Sequence, residues 1–410
     1  MSFMPIEQLK VSLHFSPQQQ VPVGRLAYYQ RNLWFEYDPG IINLNLDISP
    51  FKLPLQAGPQ TCNDKFQQGL FGVFYDSLPD GWGHLLLDRY LQREKIHPNT
   101  LTVLDKLAFV GINGMGALCY EPEHKAKIET STIDLSKLAH ASNKILKGET
   151  TKYIDQLLTL NGASSGVRPK ILIGLADDHK SIISMQDTLP DGYSHWLLKF
   201  PALQDFTDIS AIEYAYNLMA QAAGLKVSDF CLLTASDGNR YFATKRFDRQ
   251  NNKRWHMHTL AALLHADFRI PSLDYKMLLK VTLLLTKDQR QVAMAFRLAA
   301  FNVFAHNRDD HGKNFSFLMD YQGAWQLAPA YDLTFSMGPG NEHSTTIMGE
   351  GKAPGLKQLR ELALAYQIDA YEDILQQVQS VIADWNKYAQ QAEVSNESIA
   401  LITKYTTKYF

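Results

Sequence analysis

Apolar and polar residues alternate in short runs from residue 1 to about 60: Val11-Ser12-Leu13-His14-Phe15, Gly24-Arg25-Leu26-Ala27-Tyr28 and Leu33-Trp34-Phe35-Glu36-Tyr37-Asp38. A period of two sends successive side chains to opposite faces of a strand, and turn residues bound each run. These runs predict a small antiparallel β unit. The pattern then lengthens. Gly83 to Arg93 reads as a helix, entered through Asp76-Ser77-Leu78-Pro79-Asp80-Gly81-Trp82-Gly83, which holds the residues of a tight turn feeding a helix start.

Residues 122–150 are polar, carry no β period and read as a connector. A helix from Thr151 to Leu160 follows and runs into a glycine loop, Asn161-Gly162-Ala163-Ser164-Ser165-Gly166, and then a strand, Pro169 to Gly174. His195 to Phe200 and Arg240 to Phe247 read as further strands. Between them, Ile209 to Ala223 has helical apolar spacing and stops at Gly224, a residue suited to a helix C-cap. From about 256 to the end the pattern is helical, broken by residues 306–314 with the hairpin after them and by the glycine-rich stretch Met337 to Gly351. The expected class is therefore α+β and bilobal in the manner of protein kinases. Its expected parts are a small β-rich N-terminal subdomain over 1–125, an N-lobe over 126–255 and a helical C-lobe over 256–410.

The 410 residues suffice for two or three domains, and 45% apolar residues provide a sizeable core. Lys plus Arg number 40 against 42 for Asp plus Glu, which excludes a broad electrostatic nucleic-acid footprint. Cys62, Cys119 and Cys231 lie far apart without metal-ligand spacing, as reduced cytoplasmic thiols do. Neither a secretory leader nor a membrane span is apparent, so a cytoplasmic protein is expected.

Chemistry concentrates in His306-Asn307-Arg308-Asp309-Asp310-His311-Gly312-Lys313-Asn314. An Asp followed five positions later by an Asn is the spacing of a phosphotransfer loop, where the Asp takes a hydroxyl proton and the Asn gives an amide oxygen to a metal. Two short strands, Phe315 to Leu318 and Ala324 to Leu327, joined at Tyr321-Gln322-Gly323, would then return Asp332 to that loop. Asn and Asp clusters are also ordinary turn formers, but this one sits between an apolar helix and a strand.

Upstream, Gly162 and Gly166 bracket a loop whose amides could cradle phosphate, and Lys199, late in a strand, could meet the α and β phosphates. Glu213, on the next helix, is a natural ion partner for Lys199. Asn314 and Asp332 are oxygen ligands of the kind Mg²⁺ prefers. His311 would hydrogen-bond the nucleotide or Asp332, or brace the loop. Lys313 would neutralise the transferring phosphoryl group or stand exposed. His256, His258 and His265 show no zinc spacing and read as ordinary.

In this order the motifs resemble the HipA family of bacterial Ser/Thr kinases, the toxin halves of toxin–antitoxin pairs. The resemblance rests on Phe74 to Gly83, Val110 to Leu118, Gly162 to Lys170, Leu198-Lys199-Phe200-Pro201, Glu213-Tyr214, Arg246-Phe247-Asp248-Arg249, Asp309 to Ser316 and Pro329 to Leu333. It implies an ATP- and Mg²⁺-dependent protein kinase with Asp309 as base, Asn314 and Asp332 on the metal, and Lys199 on the phosphates. The segment Thr244-Lys245-Arg246-Phe247 would be the hinge whose backbone meets adenine. It also implies a protein target such as an aminoacyl-tRNA synthetase and a helix-turn-helix antitoxin of the HipB type, with DNA reached only through that partner and no membrane involved. Family members silence themselves by phosphorylating a hydroxyl at the glycine loop, where Thr159, Ser164 and Ser165 compete for the role here. A small-molecule kinase and a non-catalytic co-repressor are the alternatives, and the intact Lys199, Asp309, Asn314 and Asp332 argue against the second.

Overall fold

The alternating runs near the start become strands β1 (Gln8–Ser16), β2 (Gln19–Tyr29) and β3 (Asn32–Tyr37) in a computed structural model that describes residues 5–30, 32–64, 67–124, 133–162 and 166–409. In β1 the odd-numbered residues Leu9, Val11, Leu13 and Phe15 are buried, and the residues between them are exposed or half-buried. One face covered and one face wet is the condition that writes a period of two into a sequence. Strands β4 (Pro59–Thr61) and β5 (Leu118–Glu121) complete an antiparallel sheet in the order β4-β3-β2-β1-β5.

The longer helices that accompany this part of the chain are α1 (Gly81–Arg93), α2 (Val103–Val110), α3 (Leu135–Leu146) and α4 (Ile154–Asn161). Helix α2 begins with a reciprocal cap. Asp105 N–H donates to Thr102 Oγ1 at 3.2 Å, and Thr102 N–H donates to Asp105 Oδ2 at 2.8 Å. Helix α3 corrects the reading of residues 122–150 as a connector. Asp134 caps it through the Lys137 N–H, and Leu135, Leu138, Ala139, Ser142 and Ile145 are buried at helical spacing.

Within a second, five-stranded sheet, β6 (Lys170–Ala176), β7 (Ile182–Ser184), β8 (Tyr193–Lys199) and β9 (Arg240–Lys245) run antiparallel in the order β7-β6-β8-β9. The first six residues of β6 are all buried, so its sequence shows a continuous apolar run after Lys170 rather than alternation.

The chain divides into two units, one of residues 1–205, 233–258 and 319–323, and one of 206–232, 259–318 and 324–410. In the first unit Asp76, from the turn ahead of α1, lies 2.8 Å from His258 Nδ1, and His258 Nε2 lies 3.0 Å from Ser49 Oγ. The order of groups is that of a hydrolase relay, but Ser49 and His258 are wholly enclosed, so the chain of hydrogen bonds acts as a brace.

The second unit is helical. Its helices include α5 (Ile209–Ala222), α6 (Tyr275–Thr286), α7 (Gln289–Phe304), α8 (Leu356–Ala365), α9 (Tyr371–Ala383), α10 (Trp385–Gln391) and α11 (Asn396–Thr406). Asp274 and Asp288 cap α6 and α7 by accepting from Lys276 N–H and Arg290 N–H, each at 2.9 Å. Helix α7 buries ten residues and stops where Ala305 C=O accepts the Tyr216 hydroxyl at 2.6 Å. His306 then takes a left-handed conformation (φ 54°), which turns the chain out of the helix into the Asp/Asn loop. Among the described residues the three cysteines are free thiols, and no helix is long and apolar enough to cross a membrane.

Candidate active site

In the first unit, helix α4 ends at Asn161, and Gly162 adopts φ +54°. A Cβ on Gly162 would stand 2.5 Å from the Asn113 carbonyl oxygen and 2.8 Å from Leu172 Cδ1, so only glycine fits. Ala163, Ser164 and Ser165 lie outside the described residues. The far end of the loop is anchored: Gly166 N–H donates to Asp80 Oδ1 at 2.5 Å, and Gly166 C=O accepts from Trp82 N–H at 3.0 Å. The Asp80-Gly81-Trp82 turn thus holds the glycine loop.

Lys199, at the end of β8, is paired in register with Lys170 at the start of β6. Residues directly opposite on neighbouring strands share a face, so the sheet presents two buried lysines side by side. Lys170 Nζ would meet a Cβ on Gly166 at 2.6 Å, which places this ammonium at the loop. Lys199 Nζ lies 5.8 Å from the Phe242 ring centre. The sequence reading missed Lys170 as a site residue. A lysine opening the strand directly after a glycine loop was the available signal.

Lys245 is half-buried at the end of β9, opposite Trp196, and Phe247 is half-buried just beyond it. Arg246 is committed elsewhere. Its Nε and Nη2 donate to Asp248 at 3.0 and 2.7 Å, and Nη2 also donates to Gly114 C=O at 3.1 Å. Arg249 Nη1 donates to Asp248 Oδ2 at 2.8 Å and to Gly116 C=O at 2.6 Å, and Gly116 N–H donates to the same Asp248 oxygen at 2.7 Å. Burial raises the Asp248 pKa, but Arg246 and Arg249 more than offset that and hold it well below the usual carboxylate range. Two motifs far apart in sequence, Gly114-Met115-Gly116 and Arg246 to Arg249, are therefore one buried ion cluster.

In the second unit, residues 308 to 310 alternate in direction. Arg308 is buried and donates to Asn341 Oδ1 at 3.0 Å and to Lys352 C=O at 2.9 Å. Asp310 is buried and accepts from the Tyr275 hydroxyl at 2.8 Å and from Ser344 N–H at 2.9 Å, while His343 Nδ1 lies 2.9 Å from it. Asp309, between them, is exposed. Asn314 Nδ2 donates to Asp309 C=O at 2.7 Å, which closes the loop.

Lys313 is buried with its Nζ 4.5 Å from the Phe268 ring centre, a cation–π distance, and His311 lies 5.5 Å from that ring. Strands β10 (Ser316–Met319) and β11 (Trp325–Leu327) carry the chain out and back. On return, the Tyr331 hydroxyl donates to Lys313 C=O at 2.5 Å and lies 2.6 Å from Ser316 Oγ. Asp332, the next residue, is held at φ +54°. Asp309, His311, Lys313 and Asn314 thus share one loop of the second unit, and Tyr331, the residue before Asp332, is hydrogen-bonded to that loop. Glu213 is buried on α5, where its carbonyl accepts from Asn217 Nδ2 at 2.8 Å.

The donor set suits a hard cation. Asn314 spends its NH₂ on Asp309, leaving the amide oxygen as the group that can ligate, and Asp332 adds carboxylate oxygens. Among the described residues no group of three or more His, Cys, Asp or Glu is placed to hold a metal.

Comparisons with known proteins bear on the family and the fold. A family model described as HipA-like C-terminal domain matches residues 162–385, and one described as HipA N-terminal domain matches residues 17–121. The fold is similar to HipA of Shewanella oneidensis MR-1, solved with HipB and operator DNA: TM-score 0.69, 14% identity, 97% of this chain and 95% of that chain covered. The Helicobacter pylori proinflammatory kinase CtkA aligns over 53% of this chain and 86% of that one at 12% identity and TM-score 0.35, too weak a likeness to argue from. No curated protein sequence matches the chain.

Proposed function

Because this chain belongs to the HipA family, we propose that it is a toxin kinase that moves the γ-phosphoryl group of ATP onto a serine or threonine hydroxyl of a protein. The observation that carries this reading is the exposed Asp309 carboxylate, set on a loop whose neighbours Arg308 and Asp310 are pinned inward. A general base must meet its substrate's hydroxyl, and a loop held from both sides keeps it in place. Asp309 takes the hydroxyl proton as the acceptor oxygen bonds to phosphorus and the bond to ADP breaks. Lys170 and Lys199 are the cations for the phosphates, with Lys170 Nζ close to Gly166. Magnesium, when bound to the phosphates, offsets their charge; Asn314 and Asp332 would hold it. The segment 244–247 is the proposed adenine contact, made through backbone since the Arg246 side chain is spent on Asp248.

Thr159 is the leading site of self-phosphorylation. Its hydroxyl oxygen is buried without a hydrogen-bond partner, three residues before Gly162. A phosphate there would add about two negative charges at the loop. A helix-turn-helix antitoxin is the proposed partner, supported by the Shewanella HipA of this fold solved with HipB and operator DNA. The aminoacyl-tRNA synthetase target and a cytoplasmic location rest on the family resemblance.

Incubation with Mg²⁺ and labelled ATP, followed by mass spectrometry, tests the reading. Phosphate on Thr159, Ser164 or Ser165 is expected, and Asp309→Asn should abolish it without shifting thermal unfolding. A chain free of added mass beforehand that still transfers nothing would overturn the kinase and favour a non-catalytic co-repressor.

A further inference from the structure

Residues 260–275 run along the Asp/Asn loop within the second unit. At one end Leu260 N–H donates to Phe315 C=O at 2.8 Å, and at the other the Tyr275 hydroxyl donates to Asp310. Between these contacts Gly312 has no room for a side chain: a Cβ would stand 2.5 Å from Leu273 Cδ1 and 3.0 Å from Ala261 Cβ. His265 turns the chain at φ +55°, and three residues later the half-buried Phe268 ring is set against the loop. The turn that carries this ring is braced. Asp267 Oδ1 accepts from Arg269 N–H at 3.0 Å, and Asp267 C=O accepts from Ile270 N–H at 3.1 Å. Lys313 Nζ lies 4.5 Å from the ring centre, and the His311 ring lies 5.5 Å from it at an angle of 60°. One aromatic side chain thus meets both residues that flank Gly312.

We infer that Phe268 is a positioning residue for phosphotransfer, a role that rests on the kinase reading above. It acts through Lys313 rather than on the substrate. A lysine ammonium ends a long flexible stem, and the negative face of a ring gives it a preferred place. The Lys313 charge then stands where negative charge spreads over the moving phosphoryl group. That lowers the barrier without tightening the hold on ATP.

Two measurements on the full chain test the assignment. In the first, Phe268 is replaced by Leu, by Tyr, and by phenylalanine bearing one, two or three fluorines, which nearly keep its size but drain its negative face. In Phe268→Leu the maximal rate of self-phosphorylation should fall about tenfold with the half-saturating ATP concentration unchanged. Phe268→Tyr should recover it, and the fluorinated chains should decline stepwise. In the second, without ATP, acetic anhydride acetylates amines and mass spectrometry reads Lys313, which should label several-fold faster in Phe268→Leu and progressively faster with each fluorine. Thermal unfolding of every variant separates a lost contact from a lost fold, and the fluorinated chains carry the test if Phe268→Leu does not fold. An unchanged rate, a rise in half-saturating ATP alone, a flat fluorinated series or equal labelling of Lys313 would overturn the assignment. If the unaltered chain transfers no phosphate, the kinase reading falls, and the labelling still decides whether the ring holds the ammonium.

Discussion

Asp248 in the first unit and Asp310 in the second are both sealed from water, and their surroundings differ in kind. Asp248 sits between two guanidinium groups, Arg246 and Arg249, and takes one backbone N–H from Gly116. Asp310 takes a phenol, two backbone N–H groups and the imidazole of His343. The first carboxylate neutralises charge that would otherwise be stranded, while the second gathers dipoles and fixes a loop. A buried charge left without its counter-ion costs more than a donor left without its acceptor. The two hubs should therefore fail by different amounts.

The largest effect is expected from Asp248→Ala, which strands two arginines. A loss of about 3–5 kcal/mol in denaturant-induced unfolding is expected, and an unchanged midpoint would show that water reaches the cluster.

Acid should separate the units next. Burial, reinforced by Arg246, lowers His195 to about 3; burial, reinforced by His258, lowers His256 to about 3; and burial also lowers His14. All three belong to the first unit. In the second, burial and then Arg308 lower His306 to about 3. Each ring stays neutral when folded and takes a proton once unfolded. Stability is therefore full above pH 6.5 and drains as pH falls toward 3. By pH 5 His195, His256 and His306 each contribute a loss of up to about 2 kcal/mol. Hydrogen exchange should show the first unit opening more steeply, and equal slopes would contradict the asymmetry.

Asp310→Asn keeps the volume but puts an NH₂ among donors. A loss of about 1–3 kcal/mol is expected, with a slower phosphotransfer rate because the Asp309 loop loosens. Smallest is Tyr275→Phe, which removes one hydroxyl between Asn302 and Asp310 and should cost about 1 kcal/mol by thermal unfolding. If it cost as much as Asp310→Asn, the network would hang on a single bond.

What the sequence revealed follows the range of the interactions involved. Strand β1 was legible because one buried face imposes alternation, and the Asp309–Asn314 pair because five residues close it locally. Helix α3 was hidden by the polar residues around it, although Leu135, Leu138, Ser142 and Ile145 kept the helical period. The side-chain role of Arg246 was not legible because one of its partners, the Gly114 carbonyl, lies 132 residues away in the glycine turn. Lys170 was passed over for a similar reason, since its neighbour Lys199 is set by sheet register rather than by spacing.

The long reach of the Asp248 cluster has a consequence for how the protein is made. Gly114 and Gly116 leave the ribosome with their carbonyls unmatched, and the arginines that receive them are encoded more than 130 residues later. At ordinary elongation rates of about 5–20 residues per second, the nascent chain waits roughly 7–26 seconds for them. During synthesis the first unit is thus incomplete even after its first 205 residues have emerged, and its next segment, 233–258, arrives only after part of the second has been translated. A stalled or truncated message ending before Arg246 yields a chain that cannot finish either the turn or the sheet beside it.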